Sequence, residues 1–169
     1  MKVLVVEPGY APYEKDIEGL HGMQEVVGGT ITAIYPFAEP VAVVGNDDSI
    51  SLGMPFNRSM PGGYGGVFGP FFVCGLGEED FCSLTPEQVK AYKKEFHSAE
   101  ILIGAKGNTP ITLKVQPKAV GGSVREKGRD TPPGRESGSH RTRGLSENLR
   151  AAPVGWLWLW SRPGPVPPL

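Results

Sequence analysis

Cysteine is nearly absent from this 169-residue chain, which has only Cys74 and Cys82. Two thiols at that spacing match neither a CxxC redox pair nor a zinc half-site, and they are too few for a disulfide framework. Histidine is almost as scarce, and His21, His97 and His140 show no partner at metal-ligand or triad spacing. Long apolar runs are missing as well. The longest, VGWLWLW at residues 154–160, falls far short of the roughly 18 residues of a membrane span. MKVLVVEPGY lacks the apolar core and cleavage site of a secretory signal. These absences point to a reduced, cytoplasmic protein with no membrane contact, no metal and no cofactor.

Arginine is also sparse, but only in part of the chain. Residues 1–118 hold a single one, Arg58, and carry nine Lys and Arg against fourteen Asp and Glu, a net charge of −5. Residues 119–169 carry eight against four, net +4. A break of this kind marks a boundary, so we read one domain over 1–118 and a tail over 119–169. The tail is rich in Gly, Arg, Ser and Pro and poor in apolar residues up to residue 144, a composition that cannot offset ordering entropy; it is expected to be disordered. A net-negative body without a basic aromatic patch makes nucleic acid an unsuitable partner for the domain, leaving weak, salt-sensitive binding to the tail. A charge of −5 is also weak for mimicry of DNA.

Within the body, β-type runs alternate with helical patterns. KVLVV, TITAIYPF, VAVVG and FFVCGL read as strands, and residues 101–104 and 111–115 as a last strand pair. Leu20, Met23, Val26 and Val27 fall at helical spacing and are stopped by Gly28-Gly29. The clearest local signal is SLTPEQVKAYKKEF. Thr85 fits an N-cap, Pro86 the first helical position and Gln88 the capping-box partner, while Leu84 and Val89 fit a hydrophobic staple. Val89, Tyr92 and Phe96 then form an apolar stripe. MPGGYGGVFGP, with five glycines and two prolines, reads as a mobile loop. It is not a phosphate loop, because no GK[ST] and helix follow. The expected fold class is α+β, with a mixed or antiparallel sheet of four to five strands and two packed helices.

Two short stretches carry the candidate chemistry. In GLGEEDF, Glu78, Glu79 and Asp80 offer carboxylates to a hard cation, but they do not alternate as calcium-loop ligands do. The simpler reading is solvated charge ahead of a helix, where it is favourable by about 0.3–1 kcal/mol. In GMPFNR, Asn57 and Arg58 present the domain's one planar bidentate donor, suited to a phosphate, a partner's carboxylate, or the chain's own Glu78, Glu79 or Asp80. Tyr10 and Tyr13, in the loop GYAPYEKDIEG, add two exposed-looking aromatics as contact candidates. Cys74, inside FFVCGL, reads as a small core residue, and nothing favours pairing Cys82 with His97 as a nucleophile and base.

MKVLVVEPGYAPYEKDI, VVGGTITAIYPFAEPVAVVGNDD, GMPFNR and FFVCGLGEEDFCSLTPEQVKAYKKEF, in that order, resemble the bacterial and phage family called domain of unknown function 3846. The recurrent phrases fall on Val6 to Pro8, Gly28-Gly29, Tyr35-Pro36-Phe37, Asn57-Arg58 and Gly77 to Phe81. The resemblance implies a small cytosolic protein of gut bacteria, often carried on phages or conjugative elements, and it names no reaction. The tail departs from the family pattern and has the bias of GC-rich DNA read out of frame. The expected function is a binding or accessory module of a phage or mobile element, acting on a protein or small ligand through Tyr10, Tyr13, Asn57, Arg58, Glu78, Glu79 or Asp80, with no catalytic residue. The alternative is a small hydrolase or transferase centred on Asn57, Arg58 and the loop 77–80.

Overall fold

Three strands with almost no polar side chain lie at the centre of the structure, a computed structural model that describes residues 1–121. They are β1 (Lys2–Val6), β7 (Phe71–Leu76) and β4 (Val41–Asn46). A strand exposed on one face alternates polar and apolar residues; these do not, because both faces of the sheet are covered. Around them the sheet is antiparallel, in the order β2-β1-β7-β4-β3, with β2 at Tyr13–Asp16, β3 at Ile31–Ile34, and the two-residue β8 (Phe81–Cys82) pairing the end of β7.

On one face Val3, Val5, Ala42, Val44, Phe72 and Cys74 meet helix α1 (Gly19–Val27), which buries Met23 and Val27. On the other, Leu4, Val6, Val43, Phe71 and Val73 meet helix α2 (Pro86–Glu95) and the hairpin of β5 (Phe56–Met60) and β6 (Gly65–Phe68). The α2 stripe falls where the heptad-like spacing puts it: Val89, Tyr92 and Phe96 are all buried. Phe96 stacks edge-on against Phe71 at 5.4 Å, and Phe37 lies 4.9 Å from Tyr92. Burying each such side chain contributes about 1.5–3 kcal/mol. The start of α2 is held as expected, with Gln88 N donating to Thr85 Oγ1 at 3.2 Å and Thr85 N donating to Gln88 Oε1 at 3.0 Å.

The α+β class and the two packed helices hold, and the sheet proves to be antiparallel with six strands. The differences are local. β2 differs from the expectation because YEKD is polar; it is an edge strand with Glu14, Lys15 and Asp16 exposed and Tyr13 half-buried against the core on the α1 side. Leu20 shares the helical spacing of α1 but is 57 % exposed, so the buried stripe is narrower than the pattern suggests. The glycine-rich stretch is a hairpin rather than a loop. Gly62 and Gly63 take φ of 72° and 79° at its turn, and Met60 pairs with Gly65. Glycine there is turn chemistry that only glycine adopts without strain, not a sign of mobility.

A last hairpin, β9 (Ala99–Lys106) and β10 (Thr109–Val115), is longer than its apolar segments suggest. It is pinned to β5–β6 by Ser59, whose N and Oγ both donate to Glu100 Oε2, and by Asn108 Nδ2 donating to Gly63 O at 2.7 Å. Beyond it Lys118 returns to the body: Lys118 N donates to Gly9 O, and Ala11 N donates to Lys118 O, each at 2.9 Å. The tail expectation falls on residues that, from 122 on, lie outside those described.

Candidate functional site

Asn57 and Arg58 sit on β5 because FNRSM turns two polar side chains into the gap between the sheet end and the end of α2. Both are buried, Arg58 at 1 % exposure. Asn57 Nδ2 donates to Val6 O at 2.9 Å and to Gly69 O at 2.8 Å, tying the ends of β1 and β6. Arg58 then fans out. Nε and Nη2 donate to Phe96 O, Nη2 also to Tyr10 O, and Nη1 to Asn57 O and Oδ1, at 2.9–3.2 Å. All five guanidinium hydrogens are used on acceptors within the chain.

A buried guanidinium without a hydrogen-bonded carboxylate needs another source of negative potential. Phe96 is the C-cap residue of α2, and the carbonyl end of a helix carries about half a negative charge. Burial lowers the Arg58 pKa, and the nearby Glu100 carboxylate opposes that. Arginine stays charged in either case. The pair is therefore an internal clasp joining β1, β5, β6 and α2, with its donors turned away from solvent.

The three acids lie elsewhere. Glu78, Glu79 and Asp80 are exposed at the tip of the β7–β8 turn. Gly77 N donates to Asp80 O at 2.8 Å, and a Cβ on Gly77 would stand 2.9 Å from that same oxygen. Asp80 Oδ1 accepts from Phe81 N at 2.7 Å. Arg58 is fixed at the Phe71 end of β7 and the acids at the Leu76 end. That separates them by about 17 Å of strand at roughly 3.4 Å per residue. The pairing of Arg58 with Glu78, Glu79 or Asp80 does not form, and no common pocket joins Asn57, Arg58 and the loop 77–80. Cys82 pairs with Gly75 near the Leu76 end of β7, whereas His97 follows Phe96, whose carbonyl meets Arg58 at the Phe71 end, so these two are likewise apart. Among the described residues no group of three or more His, Cys, Asp or Glu is placed to hold a metal.

Tyr10 does join the clasp, but through its carbonyl; its ring is half-buried with Lys118 Nζ 5.9 Å from the centroid. Tyr13 donates from its hydroxyl to Glu7 Oε1 at 3.1 Å. Burial first, and then Glu7, push that phenol up to about 12. A shallow cleft of about 180 Å³ is lined by Lys2, Glu14, Leu84, Pro86 and Val89. Ligand pockets usually run to about 300–1,000 Å³. Glu14 is paired there with Lys93 and, at 3.6 Å, with Lys2, so its acidity is raised mainly by Lys93.

The surface that sequence reasoning missed is on β9–β10. Ile101, Ile103, Ile111 and Leu113 are 52, 65, 47 and 55 % exposed. Leu113 stands opposite Ile101, and a β-bulge sets Ile103 and Gly104 against the single residue Ile111. All four branched side chains thus share the outward face. The period-2 pattern was visible in ILIG and ITLKV, but alternation alone does not say whether its apolar face is covered.

The family model described as Domain of unknown function (DUF3846) matches residues 1–97. No curated protein and no solved structure matches the chain. Covering more than half of its length, the match shows that this chain belongs to that family. The matched span ends just before the β9–β10 hairpin. No helix of the described residues is long and apolar enough to cross a membrane.

Proposed function

We propose that this DUF3846 member is a non-enzymatic, cytosolic binding module that works through protein contact, in the phage or mobile-element setting its family resemblance suggests. One observation carries the reading: the outward face of β9–β10 leaves four large aliphatic side chains in solvent together. Scattered exposed apolar residues are ordinary, whereas a contiguous aliphatic face on one hairpin is the kind of patch that marks an interaction site. The enzyme alternative loses support from the clasp, since the donors of Asn57 and Arg58 are taken by internal carbonyls and the acids stand at the far end of β7.

The test is affinity capture from cells that co-express tagged and untagged copies of the full chain. Wild type is compared with the double variant Ile103→Asp, Leu113→Asp. A protein retained by wild type and lost from the variant, with circular dichroism unchanged, is expected. Retention of the same proteins at the same level by both chains removes the hairpin face from the function.

A further inference from the structure

Both ends of the β9–β10 hairpin lead to the same guanidinium. β9 begins at Ala99, shortly after Phe96, whose carbonyl accepts from Arg58 Nε and Nη2. β10 ends at Val115, and just beyond it Lys118 bridges in parallel to Tyr10, whose carbonyl accepts from Arg58 Nη2 at 2.9 Å. One nitrogen thus holds both the entry and the exit of the hairpin. We propose that residues 116–118 are a releasable strap, whose opening frees the Tyr10 loop from the hairpin while the Phe96 half of the Arg58 clasp stays closed. The inference goes beyond the binding-module reading and does not depend on what the hairpin face touches.

The two halves differ in what covers them. On the entry side Phe96 and Ala99 are buried, Phe96 packs edge-on against Phe71, and both Arg58 bonds to Phe96 O are closed to water. On the exit side the Arg58 bond to Tyr10 O is only partly buried, Gln116 and Lys118 are exposed, and Pro117 is half-buried. The strap is held by Lys118 N donating to Gly9 O, Ala11 N donating to Lys118 O, and Lys118 Nζ over the Tyr10 ring. Among the described residues Tyr10–Lys118 is an isolated bridge, so no adjoining rung keeps the pairing together once it parts. Segments with few buried apolar contacts and water-accessible backbone bonds open first, in units smaller than the whole fold. Water replaces an exposed bond at little net cost, whereas a buried carbonyl left unpaired is expensive. The Tyr10 loop keeps its own turn without the strap, since Tyr10 N donates to Glu7 O at 3.1 Å and Gly9 takes a φ of 83°. Opening therefore turns Gly9 O and Ala11 N to solvent on a loop still anchored by Arg58. Residues beyond 121 join the body through this strap, so a pull on them meets Lys118 before it meets the clasp.

Amide hydrogen exchange in the full chain, followed residue by residue by NMR, tests this. The Ala11 and Lys118 amides, which bond across the strap, should share one level of protection, at least about 100-fold below that of the Phe96 amide, which donates to Tyr92 O. Lys118→Pro deletes the donor to Gly9 O and should lower Ala11 protection by a further factor of about 10, with Phe96 protection changed by less than about 2-fold. Lys118→Ala keeps both backbone bonds and removes only the ammonium over Tyr10. It should lower Ala11 protection by about 2- to 5-fold, and it decides the matter if the proline disturbs folding. Ala11 and Lys118 amides as protected as Phe96 would make strap and clasp one unit and overturn the proposal. So would a folded Lys118→Pro chain with Ala11 protection unchanged, or an equal loss at Phe96 and Ala11 in Lys118→Ala.

Discussion

Replacing Arg58 by methionine removes the donors from the clasp while its acceptors remain, since Phe96 O and Tyr10 O are backbone and cannot be mutated away. Phe96 O, Tyr10 O and Asn57 Oδ1 would each lose a partner. A buried acceptor left unsatisfied costs about 1–3 kcal/mol. Relief of the arginine's own desolvation offsets part of this, and removal of one partner from a buried charged network typically destabilises by about 3–5 kcal/mol. With a urea slope of about 1.5 kcal/mol/M, the midpoint should fall by roughly 2–3 M. Total stabilities are commonly about 5–15 kcal/mol, so Arg58→Met can approach complete unfolding. Arg58→Lys keeps the charge with three donors in place of the fork and should lose about 2 kcal/mol. Urea unfolding followed by circular dichroism measures both. If Arg58→Met stays within about 0.5 kcal/mol of wild type, the clasp is not what holds α2 to the sheet. A double-mutant cycle with Asp80→Asn should show coupling near zero at this separation; strong coupling would restore the ion pair that the geometry rejects.

Other outcomes follow from single residues. Thr85→Ala should cost about 1 kcal/mol by opening the capping box, measurable as a lowered melting temperature. Gly77→Ala should cost about 1–3 kcal/mol because the new Cβ meets backbone oxygen, whereas Glu79→Gln in the same turn should stay within about 0.5 kcal/mol. Cys74 is fully buried, with its thiol pushed up to about 12 mainly by that burial. An aromatic disulfide reagent at pH 8 should therefore titrate one thiol in the native protein, Cys82, and two in urea. Tyr13 has a raised pKa in the fold, so its contribution is complete below pH 10 and is lost as pH rises toward 12. Alkaline unfolding of Tyr13→Phe should lose less stability across that window.

The legible parts of the fold were those where local and tertiary demands agree. KVLVV, VAVVG and FFVCGL are strands in any context, and SLTPEQ encodes its own helix start through the hydroxyl, the ring and the amide. The illegible parts were settled by neighbours. GGYGG reads as a loop until Gly62 and Gly63 are seen turning a hairpin, and Leu20 obeys a helical period that the sheet does not need. The candidate site was half legible. Arg58, the body's one arginine, does have a special role, but the partner suggested by charge was wrong, because carbonyls at the end of α2 are invisible in a list of side chains. GEED turns out to be a turn tip whose glycine has a steric reason and whose Asp80 closes on the next amide. Nothing in the structure explains why Glu78 and Glu79 are both acidic.

The hairpin face can be examined where it acts. A photo-reactive amino acid placed at Ile103 in the full chain, and at Glu79 as a control on an exposed turn, reports what touches each surface in living cells. A discrete protein adduct at Ile103 that is absent at Glu79 is expected. Equal labelling at both positions, or none at Ile103, contradicts a binding module built on β9–β10.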